Sequence, residues 1–135
     1  IDGLGRLVDA LSDTSRFPDG FRLYAANLYD PTGPSQTGAG CFTPLQTSFM
    51  ESEIATMNRL VRAAGEERGY AVLDMYGLFW EHGYTTSPEG RGGDADPNAT
   101  MWFADCVHPN ARGHHELRGM FLRAATDPEN VDVAY

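Results

Sequence analysis

The sequence predicts an α/β fold in which parallel strands are covered on both faces by helices, and three observations carry that expectation. Two short segments, Phe21 to Tyr29 and Tyr70 to Tyr76, are apolar enough at their centres to be buried on both faces, the mark of a parallel sheet. The segment between them has the length and the capping signals of a helix, and strand–helix–strand with a right-handed crossover makes a βαβ unit. On either side of that unit, apolar residues recur at i, i+3, i+4 and i+7, the spacing of a helix that packs one face on a core.

Residues 1 to 14 read as the first helix. Leu4, Leu7, Val8 and Leu11 make one apolar face, and Gly3 and Gly5 weaken its first turn. Phe17-Pro18-Asp19-Gly20 reads as a turn, with Pro and Gly each in a role that suits it. The first strand, Phe21 to Tyr29, follows, with Leu23-Tyr24-Ala25-Ala26 at its centre. Asp30 to Phe42 is a loop of Gly, Pro, Ser and Thr. A loop leaving the carboxyl end of a parallel strand lies on the edge where α/β proteins bind ligands, so this one is either a wall of a site or a surface connection.

Thr43-Pro44-Leu45-Gln46 starts the long helix: a Thr cap, Pro at the first helical position and Gln three residues after the cap. Met50, Ile54, Met57, Val61 and Ala64 form a continuous stripe expected to be core, and Gly69 is the expected stop. Tyr70 to Tyr76 is the second strand. Asp74 at its end reads as a cap for the Gly77-Leu78-Phe79-Trp80 turn rather than as a catalytic acid. His82, beside aromatics, is either structural or substrate-lining.

Thr85 to Thr100 is polar and rich in Gly and Asp. Asp94-Ala95-Asp96-Pro97-Asn98 has the opening of a calcium loop, but Ala99 stands where that loop needs glycine, and calcium is not expected. After Met101-Trp102-Phe103 comes the Asp105-to-His108 turn. Asn110 then caps a last helix with Leu117, Met120, Phe121 and Ala124 on one face. Asp127-Pro128 ends it, leaving a loose tail to Tyr135.

The 135 residues suit one compact unit, and 41% apolar content argues against disorder. A net charge of −9 argues against nucleic acid and anionic membrane as partners. No apolar run reaches transmembrane length and no signal peptide is evident. All basic residues are Arg, to which no function attaches.

The chemistry concentrates in Asp105-Cys106-Val107-His108-Pro109-Asn110-Ala111-Arg112-Gly113-His114-His115-Glu116-Leu117. A carboxylate that holds the Nδ1–H of a histidine leaves Nε2 facing outward, where it can take a proton from a hydroxyl. The string D-x-x-H-P-N-x-x-G-H-x-x-L, passing from a turn into an amphipathic helix, resembles the last sequence block of the SGNH (GDSL-type) serine hydrolases. The softer matches are Ala26-Asn27-Leu28-Tyr29-Asp30-Pro31, similar to the run after that family's third block, and Val72-Leu73-Asp74, similar to the strand before its final loop. The resemblance implies the C-terminal part of a single flavodoxin-like three-layer α/β/α domain over residues 1–135. It also implies a Ser-His-Asp triad to which His108 and Asp105 belong, no cofactor, and a small-molecule, carbohydrate or lipid ester as substrate.

The family's G-D-S and G-x-N-D blocks do not occur in this sequence. Ser12, Ser15, Ser35, Ser48, Ser52 and Ser87 all lack the tight Gly-flanked turn after a strand that presents a nucleophile. The expectation is an N-terminally truncated carboxylic ester hydrolase, silent as this chain alone, whose serine and oxyanion residues lie upstream. The alternative is a degenerate, non-catalytic domain of the same fold.

Cys41 and Cys106 both fall on the ligand-binding edge, where a disulfide would pin the histidine turn and suit a secreted or periplasmic protein; the other reading is two free thiols. Phe42, next to Cys41, is a candidate substrate-lining residue along with His82. A metal site drawn from His82, His108, His114 and His115 is not expected. Adjacent His114 and His115 diverge by about 100° on a helix, and no companion carboxylate is well spaced.

Overall fold

The computed structural model describes residues 2–31, 42–80, 82 and 102–129. Its elements run α1 (Asp2–Leu11), β1 (Tyr24–Ala26), α2 (Pro44–Arg68), β2 (Ala71–Leu73), α3 (Met75–Phe79) and α4 (Ala111–Thr126). The strands pair in parallel, with Tyr24 opposite Ala71, Ala25 opposite Val72 and Ala26 opposite Leu73.

Alternation along the strands divides the core. Leu23, Ala25 and Val72 meet Leu4 and Val8 of α1 and Val61 and Ala64 of α2 on one face. Tyr24, Ala26 and Leu73 meet Leu117, Met120 and Ala124 of α4 on the other. Helices thus cover both faces of a two-stranded parallel sheet, the crossover being α2. Among the described residues the sheet has these two strands.

Both strands are shorter than the apolar runs that predict them, because side chains capture the backbone at their ends. Past Ala26 the ladder makes one more bond, Asn27 N–H to the Leu73 carbonyl at 3.1 Å. Leu28 is then claimed by Asn58 of α2, whose amide accepts from its N–H at 2.6 Å and donates to its carbonyl at 2.8 Å. At the end of β2, the Asp74 carboxylate accepts from Gly77 N–H at 3.0 Å and caps α3. Residues expected to continue the strand, Met75 and Tyr76, therefore begin a helix instead.

The cap signals of α2 form as the sequence predicts. Thr43 and Gln46 make a reciprocal capping box, Pro44 stands in the first turn, and Gly69 ends the helix in the left-handed region at φ 73°. Its apolar stripe forms in part: Ala64 is buried, Met50, Ile54 and Val61 are half-buried, and Met57 is exposed. Outside that stripe, Leu45 and Phe49 are 81% and 65% exposed. A helix of 25 residues runs about 37 Å whereas a three-residue strand spans about 10 Å, so α2 overhangs the sheet and only its last turns pack on it. The Arg68 guanidinium at its end is anchored to α1 through Asp9 at 2.8 Å and the Gly5 carbonyl at 3.2 Å.

Among the described residues no helix is long and apolar enough to cross a membrane. The Thr85-to-Thr100 segment with its calcium-like string, Cys41, Ser35, Ser87 and residues 130–135 of the expected tail lie outside the described residues.

Candidate functional site: the Asp105–His108 turn

The chain enters the site from an aromatic base. Phe79, Trp102 and Phe103 are buried together, with Tyr29, Met75, Leu78 and Leu117 packed against them. Phe103 and Pro109 form an antiparallel bridge, and Ala104 N–H donates to the His108 carbonyl at 2.8 Å. Asn110 N–H then donates to the Trp102 carbonyl at 2.7 Å. Residues 103–109 therefore make a closed, hairpin-like turn, with Asp105 and His108 on its outer side.

Within the turn one carboxylate does three jobs. Asp105 Oδ1 accepts from Val107 N–H at 2.9 Å and from His108 N–H at 2.7 Å, which fixes the backbone. His108 Nδ1 lies 2.8 Å from Oδ2 and 3.0 Å from Oδ1, which fixes the ring. These donors hold the Asp105 carboxyl down at about 2; the largest cause is the Val107 N–H, followed by the His108 N–H and then the His108 ring. An anion that accepts three hydrogen bonds is the favoured partner for Nδ1–H, and Nε2 is left on the open side. The pair is well exposed, His108 by 75% and Asp105 by 56% of their side chains.

The exit from the turn is as closely built. Asn110 Oδ1 accepts from Arg112 N–H at 2.9 Å and Gly113 N–H at 3.0 Å, capping α4. Gly113 explains its own place in the sequence string. A Cβ there would stand 2.6 Å from the Trp102 carbonyl oxygen and 2.9 Å from Pro109 Cβ, so only glycine lets α4 start against the aromatic base.

The turn is tied to the carboxyl end of β1 by Tyr29, whose hydroxyl donates to the Val107 carbonyl at 2.7 Å. Burial, and after it the charge of Asp105, push the Tyr29 phenol above its ordinary 10. Sequence reasoning missed this role. The available signal was a tyrosine three residues past the end of the strand, where a ring stays buried and its hydroxyl reaches the ligand edge.

The other site residues fall in different places. His82 stacks flat on Trp102, centroids 3.5 Å apart and planes 5° apart, and its carbonyl accepts from Trp102 N–H at 3.1 Å. It thereby braces the residue that leads into the turn. Phe42 lies with Leu45, Gln46, Phe49 and Met50 along an apolar groove of about 500 Å³. His114 and His115 are exposed on α4. Among the described residues no three His, Cys, Asp or Glu side chains gather as a metal site would require. Cys106, half-buried in the turn, is disulfide-bonded; Cys41 is the other cysteine of the sequence.

Asn27 is the second polar residue that sequence reasoning undervalued. Its side chain is buried, donates to Asp74 Oδ1 at 2.9 Å and accepts from Tyr76 N–H at 2.7 Å, joining the carboxyl ends of both strands. It borders a cavity of about 310 Å³ shared with Ala55, Asn58, Arg59, Arg62, Asp74 and Tyr76.

No described serine reaches His108. Ser12 Oγ donates to the Val8 carbonyl at 2.8 Å, Ser15 Oγ to Asp13 Oδ1 at 2.6 Å, and Ser48 and Ser52 are exposed on α2. Comparison with known proteins finds no matching family model, no matching curated protein and no matching solved structure.

Proposed function

We propose that this chain carries the acid–base half of a serine esterase of the SGNH type, built on a flavodoxin-like α/β/α domain to which further strands belong. One observation carries the reading: the Asp105 carboxylate engages His108 Nδ1 while its backbone contacts hold the turn, leaving Nε2 open at the carboxyl end of the parallel strands. The resemblance of the sequence from Asp105 to Leu117 supports it.

In this mechanism a serine supplied from outside residues 1–135 adds its Oγ to the carbonyl carbon of an ester. His108 Nε2 takes the hydroxyl proton as the C–O bond forms. The tetrahedral oxyanion then collapses, the bond to the alcohol oxygen breaks, and His108 returns the proton to that leaving alkoxide. Water repeats the sequence on the acyl-enzyme, with His108 again base and then acid. Asp105 orients His108 throughout and stabilises its charged form. The substrate class is a carboxylic ester, with an acyl or acetyl group on a small alcohol, a sugar or a lipid. The location that goes with a disulfide at Cys106 is a secreted or periplasmic one.

Fluorophosphonate labelling of the full-length protein, followed by mapping of the modified residue, tests the reading. A labelled serine outside residues 1–135 is the expected result. A folded full-length protein that takes no label overturns it in favour of a non-catalytic binding domain, the reading that the exposure of His108 favours. Label on one of the six serines here would relocate the nucleophile.

A further inference from the structure

The peptide joining Val107 to His108 has two polar groups, and each has its own partner. Its N–H, on His108, donates to Asp105 Oδ1 at 2.7 Å. Its carbonyl, on Val107, accepts from the Tyr29 hydroxyl at 2.7 Å. The first contact is local, three residues away; the second crosses from the end of β1. A peptide unit is a rigid plane, so a bond at each end fixes its orientation, and with it the direction in which the His108 side chain leaves the backbone.

Tyr29 is suited to this by how its ring is held. It stacks on Phe79, centroids 5.0 Å apart and planes 23° apart, and meets Phe103 edge-on at 5.3 Å and 61°. Both rings belong to the buried base beneath the turn. The hydroxyl is thus carried by an immobilised frame, unlike the exposed Asp105 and His108 side chains it governs.

We propose that Tyr29 is a positioning residue: its hydroxyl sets the Val107–His108 peptide and thereby the contact between His108 Nδ1 and Asp105. Its catalytic consequence rests on the esterase reading above; its geometric content does not. The phenol, pushed above its ordinary 10, remains a neutral donor throughout the range in which an imidazole serves as base.

Tyr29→Phe in the full-length protein tests this, because phenylalanine retains both ring contacts and removes only the hydroxyl. The readouts are the His108 ring tautomer, by nitrogen NMR, and hydrogen exchange of the Val107 and His108 amides. The Nδ1–H form should lose population to the Nε2–H form, and amide protection should fall roughly fivefold, the effect of one net hydrogen bond. Tyr24→Phe, on β1, should change neither. An unchanged tautomer and unchanged exchange in Tyr29→Phe overturn the proposal. So does a rapidly exchanging Tyr29 hydroxyl proton in the unsubstituted protein, a measurement that requires no variant. If the protein is an active esterase, kcat should fall roughly 10- to 100-fold with KM little changed. An altered His108 signature in Tyr29→Phe, with no fluorophosphonate labelling of the unsubstituted protein, keeps the positioning role and sinks the esterase reading. Labelling with an unaltered signature does the reverse.

Discussion

Asp105 and His108 are joined twice: the carboxylate accepts the His108 backbone N–H at 2.7 Å and lies 2.8 Å from Nδ1 of the same residue. The chelate closes within four residues, so the pair needs no distant element to form. Removing the ring and removing the charge should therefore have different consequences.

His108→Ala in the full-length protein should abolish ester hydrolysis with little loss of folding, since the side chain is mostly exposed. Asp105→Asn should lower kcat less, by about 10³- to 10⁴-fold. Its amide oxygen can still accept the backbone N–H groups, but its NH2 cannot accept from Nδ1–H, and the wrong tautomer is favoured. Steady-state kinetics on a chromogenic ester decide both, and unchanged activity in His108→Ala would remove that residue from the mechanism.

The pH dependence of the turn follows from Asp105. Its folded-state value is lowered from an ordinary 3.8 to about 2, so its contribution to holding the turn is complete above the ordinary value. That contribution declines as pH falls below 3.8 and is gone below about 2. In an NMR titration the Val107 and His108 amide shifts should move together with a midpoint near 2; a midpoint near 4 would mean that the carboxylate is not held as described.

Gly113→Ala should destabilise the protein by about 1–3 kcal/mol, because the added carbon meets the Trp102 carbonyl and the Pro109 ring, neither of which is a flexible side-chain end. Chemical denaturation measures the loss. Gly3→Ala, where a Cβ meets nothing within 4 Å, should not destabilise and serves as the control.

Reduction should lower the melting temperature. Cys106 is disulfide-bonded, and a bridge from it to Cys41 would close a loop of about sixty residues, contributing ~4 kcal/mol by the chain-entropy model. Peptide mapping under non-reducing conditions should recover Cys41 and Cys106 together. Equal melting temperatures with and without reductant would remove the bridge as a source of stability.

What the sequence determined by itself is local. The capping box of Thr43 and Gln46, the Gly69 stop, the Asn110 cap and the Asp105 turn are contacts over two to four residues, and their energetics are written in spacing alone. The same holds for the alternation that puts Ala25 and Val72 on one face and Ala26 and Leu73 on the other. Tertiary structure decided what depends on partners far along the chain. Asn58 of α2 captured the backbone of Leu28, thirty residues away and just past the end of β1, and Asn27 joined β1 to Asp74 and Tyr76 across the crossover. The overhang of α2 left Met57 exposed, though its place in the apolar stripe says core. Tyr29 acquired its partner seventy-eight residues later, at Val107. A hydrogen bond between distant residues depends on which strand ends and loops the fold brings together, and no single segment encodes that meeting.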